Sequence, residues 1–570
     1  MIAPRLIQTA EPSLLDLLLR QQNDFSAVEE FARWHDSASL MQSTYQALMP
    51  AREPKPGEQY AFEVNLDTCS GCKACVVACH ALNGLSERET WRKVGTLTSQ
   101  NTTGLPVLQH VTTACHHCVD PGCLNGCPVG AYEKDAITGT VRHLDDQCFG
   151  CKYCTMMCPY EVPQYSESLG IVRKCDMCSQ RLSEGEPPAC VQACPNQAIR
   201  ITIVNQQSIA TESCESNTVI TESRAGLLNR NPVSLVATAP YSRITRPTTR
   251  YKTDRSDLLS AQMWPAVSNQ DEPHEGHWPL AMMLTLTQAS VGMWCVMIFL
   301  SLAGVSSFAF RGALSSQMLG MLGVHVALLH LGRPWLAFRS WIGWRTSWLS
   351  REAIALGLYL GASSASIASL TFLGNTTYIA TAMIALAGVA GVAGVICSSM
   401  VYIATQRELW GTVRTGFDFA TTTLGLGLLG SSLCVNENAA VLLLLGALFT
   451  CLASAFKMLD VFHCLRDHRR ESAKPNDAYL VRPSLSSRSG RTVLRYLKSQ
   501  WISMWALNGF AIATSIATLW LSSNGLLHDA QPWFSFLAIM AFTASMCAQM
   551  LNRWLYFASV VFRRMPGAGT

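Results

Sequence analysis

Charge is scarce in this chain. Only 14% of its 570 residues are Asp, Glu, Lys or Arg, and the formal net charge is +4. A soluble protein carries nearer a quarter of such residues. No run of lysine and arginine is long enough to grip a phosphate backbone, so nucleic acid is not expected as a partner. No export leader is expected either. The stretch MIAPRLIQTAEPSLLDLLLRQQND has no charged start followed by an apolar core, Asp16 interrupts its run Leu14–Leu19, and no twin-arginine pair stands near it. A secreted disulfide scaffold is therefore not expected, although the chain has 23 cysteines.

What is present is uneven. Sixteen cysteines fall between Cys69 and Cys194 in four groups: Cys69-Cys72-Cys75-Cys79, Cys115-Cys118-Cys123-Cys127, Cys148-Cys151-Cys154-Cys158 and Cys175-Cys178-Cys190-Cys194. The third reads C-x2-C-x2-C-x3-C-P, ending on Pro159, the run that binds [4Fe–4S] clusters in bacterial ferredoxins. Three thiolates on one short loop cap three irons of a cubane, and the fourth cysteine points elsewhere. Zinc sites instead pair two C-x2-C halves across a longer gap. Sixteen thiolates at four per cluster imply four [4Fe–4S] clusters. The other seven cysteines have no spacing and read as small buried hydrophobes.

Residues 1–58 read as an N-terminal helical extension, with Phe25, Val28, Phe31 and Ala32 on one face. In residues 59–204, alternating segments at Tyr60–Asp67, Val141–Leu144, Ile171–Arg173 and Ile199–Val204 predict strands beside the cysteine groups, and Lys73–Leu82 predicts a helix. Residues 205–276 are rich in Ser, Thr, Asn and Pro and read as a linker. From 277 to 567 the chain reads as membrane, with eight apolar runs at about 279–308, 313–331, 352–373, 378–404, 417–434, 438–457, 501–522 and 532–557. Gly388, Gly391 and Gly394 give one run a small face for close helix packing. The runs lack the paired mid-membrane charges or broken helices that would mark a substrate path. The fold class is multidomain: an α+β ferredoxin-like module with four clusters, followed by an all-α eight-helix transmembrane bundle.

Eight spans put the cluster module and the C-terminal end on one side. The loops on that side hold Arg333, Arg339, Arg345, Arg351, Arg407 and Arg414, with many more cations after the sixth span, whereas the opposite side shows Arg311 alone. The positive-inside rule places that side, with the clusters, at the cytoplasmic face of the inner membrane.

At ACHHCVDPGCLNGCP, DDQCFGCKYCTMMCPYEVPQY, RKCDMC and PPACVQACPNQAI the sequence resembles the four-cluster iron–sulfur subunits of dimethyl-sulfoxide-reductase-type molybdoenzymes. At HWPL, LLHLGRPWLAF, SREAI and RWLYFASVVFRRMPG it resembles their eight-helix membrane anchor, ordinarily a separate polypeptide. The resemblance implies crossed ligation. Cys69, Cys72 and Cys75 would share a cluster with Cys194, and Cys175, Cys178 and Cys190 with Cys79. Cys115, Cys118 and Cys123 would share one with Cys158, and Cys148, Cys151 and Cys154 with Cys127. It also implies a molybdopterin catalytic subunit as partner and the membrane quinone pool, menaquinol or ubiquinol, as electron donor.

In that family the histidine and glutamate matching His330 and Glu352 are associated with quinol oxidation. The chemistry suits them, since oxidising a quinol releases protons and histidine titrates near neutrality. Lys73, Lys152, Arg173 and Lys174 stand beside cysteines, where a cation raises the potential of an anionic cluster. His116 and His117 lack Rieske spacing. No second histidine matches the depth of His325 and His330, so no haem is expected. Two other readings compete. One runs the conduit in reverse, from a formate-dehydrogenase-like enzyme to quinone. The other is a transporter or sensor with an iron–sulfur regulatory domain.

Overall fold

A computed structural model describes residues 14, 47–100, 106–218, 235–236, 239–254, 264–265, 277–305, 310–372, 378–407, 410, 413–435, 438–472, 498–524, 531–558 and 565–567. The helix expected near 24–34 lies outside the described residues.

Strands form where apolar and polar residues alternate. β1 (Glu58–Asn65) buries Tyr60, Phe62 and Val64 and is the middle strand of a three-stranded sheet. β8 (Ile199–Asn205) flanks it antiparallel, with Phe62 opposite Ile201, and β9 (Arg250–Lys252) flanks it parallel. A second sheet pairs β2 (Lys93–Gln100) with β3 (Pro106–Thr113), and β10 (Trp264–Pro265) lies at the edge. Two small hairpins complete the module. The hairpin of β4 (Tyr132–Lys134) and β5 (Val141–His143) joins Cys127 to Cys148, and that of β6 (Gln164–Ser166) and β7 (Ile171–Arg173) joins Cys158 to Cys175.

Helices carry cysteines onward from these loops. α1 (Ala74–Leu82) holds Cys75 and Cys79, α2 (Gly122–Gly126) holds Cys123, α3 (Tyr153–Met157) holds Cys154 and α5 (Ala189–Gln192) holds Cys190. Between them, α4 (Ser179–Ser183) follows Cys178. The loops CSGCKAC and CFGCKYC share one backbone path. Gly71 and Gly150 have φ of 74° and 73°, and Lys73 and Lys152 have φ of 62° and 60°. Only glycine takes that first position without strain, so the two loops are structural repeats.

The linker reading of 205–276 needs correction. Its described parts belong to the cluster module. α6 (Gln206–Thr218) follows β8, β9 and β10 extend the two sheets, and Thr248 Oγ1 donates to the His116 carbonyl at 2.7 Å. Two- and three-residue strands are too short to leave an alternating pattern.

The second half is helical. In order it comprises α7 (Trp278–Leu302), α8 (Phe310–Leu328), α9 (Trp348–Phe372), α10 (Tyr378–Ile403), α11 (Val413–Ser432), α12 (Ala439–Ser472), α13 (Lys498–Ser523) and α14 (Gln531–Ala558). Six of these are long and apolar enough to cross a membrane. α8 and α11 fall short, because α8 carries Arg311 among glycines and serines and α11 carries Arg414 and Asp418 among threonines and glycines. α7 is the hub and packs against α8, α10, α11 and α14. A Cβ on Gly391 of α10 would stand 3.0 Å from Val291 of α7 and 3.2 Å from Tyr359 of α9, and one on Gly394 2.7 Å from Leu356. The small face is where neighbouring helices close in.

The bundle also holds an ion pair near the ends of two helices. Arg553 of α14 is fully buried, pairs with Asp418 of α11 at 2.5 Å and bonds Gln288 at 3.1 Å. The two charges lie 135 residues apart, so neither run taken alone reveals the pair.

The halves meet through backbone groups. Arg333 N donates to Phe149 O at 3.0 Å, Gly343 N to Pro128 O at 2.8 Å and Ser347 Oγ to Gly126 O at 2.7 Å. Tyr153 Oη donates to Val401 O at 2.8 Å, and the Arg407 guanidinium donates to Thr155 O and Met156 O. At the C-terminal end, Pro566 and Gly567 lie against Gly95 of β2.

Candidate redox site

Four sets of thiols gather in the first half. In an outer set, Cys69 has Cys72, Cys75 and Cys194 as electrostatic neighbours. In a second set, Cys79 neighbours Cys178 and Cys190, and Cys175 neighbours Cys79 and Cys190. In a third, Cys115, Cys118, Cys123 and Cys158 line one apolar cavity. In a fourth, Cys151 and Cys154 neighbour Cys127 and Cys148. Each set takes three thiols from one group and the fourth from another. Among the described residues no three His, Cys, Asp or Glu side chains converge on a single-ion point. The thiols of the third set line a cavity, which suits a polynuclear centre.

Burial controls these thiols. It pushes Cys79 up to about 12 and Cys158 and Cys178 up to about 11. A thiol so placed keeps its proton until a metal displaces it. Cys148 goes the other way. Burial would raise it, but the His143 imidazole and the Val172 N–H favour the thiolate and bring it below its ordinary value. Backbone amides also reach sulfur, with Ala131 N donating to Cys127 Sγ and Ala198 N to Cys194 Sγ, both at 3.2 Å. A sulfur-rich donor set of this kind, dry and met by amides, fits iron–sulfur clusters.

The cations beside the cysteines divide. Arg173 is taken by Glu89 at 3.3 Å, and Lys152 lies over the Tyr165 ring at 4.0 Å. Lys174 is buried, with Nζ 3.7 Å from Cys115 Sγ and 2.8 Å from Cys175 O. The two histidines are structural pins. His117 Nδ1 accepts the Val141 N–H at 3.0 Å, and His116 Nδ1 meets Thr249 Oγ1 at 2.8 Å. Burial pushes His116 down to about 3, so it is neutral.

Below the fourth set is a cavity of about 280 Å3 between the two halves. Phe149, Cys151, Tyr153 and Met156 form one wall, and His330 and Glu352 stand on others. His330 sits two residues past the end of α8, and Glu352 is in the second turn of α9. His330 Nδ1 and Glu352 Oε1 are buried without a hydrogen-bond partner. Ser398 of α10 faces the Glu352 carboxyl. The contributions of Cys151 and Tyr153 are invisible in the sequence, because nothing in a C-x2-C loop says what lies beyond it.

Residues 107–204 match the 4Fe-4S dicluster domain, and residues 274–557 match the DMSO reductase anchor subunit (DmsC). The B subunit of the anaerobic dimethyl sulfoxide reductase of Haemophilus influenzae is 36% identical over 157 residues, 26% of this sequence and 76% of the relative. The corresponding subunit of Escherichia coli K12 is 37% identical over 148 residues, 25% of this sequence and 72% of the relative. The protein belongs to the dimethyl sulfoxide reductase family of electron-transfer subunits. The thiosulfate reductase electron transfer subunit PhsB of Salmonella typhi is also similar, 34% identical over 153 residues, or 26% of this sequence and 79% of that one. Within this family the protein joins an iron–sulfur domain to a multi-pass membrane anchor, two parts that match separate families.

Proposed function

We propose that this protein oxidises a membrane quinol and conducts the electrons to a molybdopterin reductase carried on a separate polypeptide. The observation that carries the reading is the shared cavity, where Cys151 meets His330 and Glu352. Its apolar walls suit a quinol ring, and two orphaned polar atoms suit the ring's two hydroxyls. Oxidising a quinol releases two electrons and two protons. His330 and Glu352 are placed to take the protons, one from each hydroxyl, and to return them to water at the mouth of the cavity.

When bound, four [4Fe–4S] clusters would supply one-electron carriers held by the four thiol sets. The neighbour relations order the sets. Tyr132 lies between Cys127 and Cys154 of the fourth set and Cys123 of the third, Cys175 of the second neighbours Cys115 of the third, and Cys75 of the outer neighbours Cys190 of the second. At the far end Cys72 and Val77 are exposed, which suits electron exit to a partner. The eight long helices described in the second half are all read as spanning, with the iron–sulfur domain at the cytoplasmic face.

The test is to isolate the protein anaerobically with its catalytic partner, count iron and assay quinol oxidation against S-oxide, N-oxide, nitrate and thiosulfate acceptors. About sixteen irons per polypeptide, four for each of four cubanes, and quinol-dependent reduction are expected. Reduction that runs only from formate to quinone would reverse the direction, and zinc in place of iron would end the reading.

A further inference from the structure

Arg92, just before β2, is 1% exposed. Its Nη1 donates to Thr112 Oγ1 at 3.2 Å, and that hydroxyl lies 3.6 Å from Cys75 Sγ. Its Nε and Nη2 have no hydrogen-bond partner. The guanidinium lies over the Phe62 ring, 4.5 Å from the centroid. Among the described residues no carboxylate pairs with it, and the acid nearest in sequence, Glu89, is held by Arg173. A charge buried this way is costly unless something of opposite sign faces it. The groups that face it are Cys75 of the outer set and Cys79, Cys175 and Cys190 of the second.

We propose that Arg92 is a counter-charge shared by the clusters of the outer and second sets, and that it raises the reduction potential of both. The inference rests on the cluster reading above. A cubane with four thiolate ligands is an anion and gains another negative charge on reduction, so a fixed buried cation favours the reduced form. Arginine suits the place because it is always charged. Lys174 repeats the device one step along, with Cys115, Cys123 and Cys175 around its ammonium. Between the third and fourth sets the corresponding group is the neutral Tyr132 hydroxyl. The two clusters nearest the exit thus share a cation, and the one at the cavity does not.

The experiment is a potentiometric EPR titration of the full-length protein in anaerobically isolated membranes, for wild type, Arg92→Met and Arg92→Lys, with iron counted in each. Arg92→Met should keep its iron and lower two of the four midpoint potentials by at least tenfold in the reduction equilibrium, about 59 mV for one electron. The other two should not move, and Arg92→Lys should restore much of the shift. Unmoved potentials with full iron would overturn the proposal, as would an equal shift in all four. If Arg92→Met fails to assemble, Arg92→Lys decides: assembly with potentials near wild type supports a counter-charge, and failure to assemble shows a packing role and overturns it. Iron missing from the wild type itself would instead strike the cluster reading.

Discussion

His330, just past α8, and Glu352 of α9 end on the walls of one cavity with an orphaned atom each. Buried polar atoms are rarely left unpaired without a reason, and a bound quinol would pair both. Replacing His330 by Ala or Glu352 by Gln should slow quinol oxidation by about a hundredfold or more, the usual worth of a positioned acid or base. Iron content should stay unchanged, which separates this loss from collapse of the neighbouring thiol set. A rate within a factor of about two of wild type would remove the residue from the reaction. Arg553 and Asp418 are another case. The pair is buried, so replacing Asp418 by Ala leaves an unmatched charge and should cost about 3–5 kcal/mol, read as a lower thermal midpoint in detergent. The cysteines could be singled out from the sequence by their spacing, and His330 and Glu352 by the resemblance to the anchor subunits. Arg92 and Asp418 could not, because their meaning comes from what lies across the fold, and a lone arginine or aspartate carries no spacing.

Among elements, β1 and β8 were legible because apolar and polar residues alternate along them, and the long helices were legible because apolar length alone predicts them. β9 and β10 were not legible, since Arg-Tyr-Lys and Trp-Pro carry no period, and pairing with strands far earlier in the sequence, Glu63 with Arg250 and Thr98 with Trp264, decides them. The short helix Pro334–Trp341 is a similar case. It leaves Trp335, Phe338 and Trp341 exposed beside Arg333 and Arg339, the composition of a segment lying in the membrane interface. The close approach of α10 to α7 and α9 depends on its glycines. Leucine at Gly391 would drive into Val291 and Tyr359 and should cost about 1–3 kcal/mol through overpacking. A thermal midpoint unchanged by Gly391→Leu would mean that α10 does not sit so close.

At the scale of the whole molecule, two modules that match separate families are joined so that a cluster loop forms the wall of a membrane cavity. The family membership was legible, since motifs in both halves carry it. The junction was not, because it is made by backbone groups such as Phe149 O and Pro128 O, which sequence does not mark. The geometry has an energetic consequence. The cavity adjoins the iron–sulfur domain, so on the proposed function quinol protons would leave on the cluster side. With that side in the cytoplasm, as proposed from the cation-rich loops, protons would be released where a terminal reduction consumes them, and no charge would cross the bilayer. Proteoliposomes holding the protein with its catalytic partner, given quinol and acceptor, should therefore turn over without building a membrane potential. A sustained dye response that an uncoupler abolishes would show that protons take the other route, through the middle of α7, α8 and α9, where Ser290, Ser316 and Tyr359 form a buried hydrogen-bonded cluster.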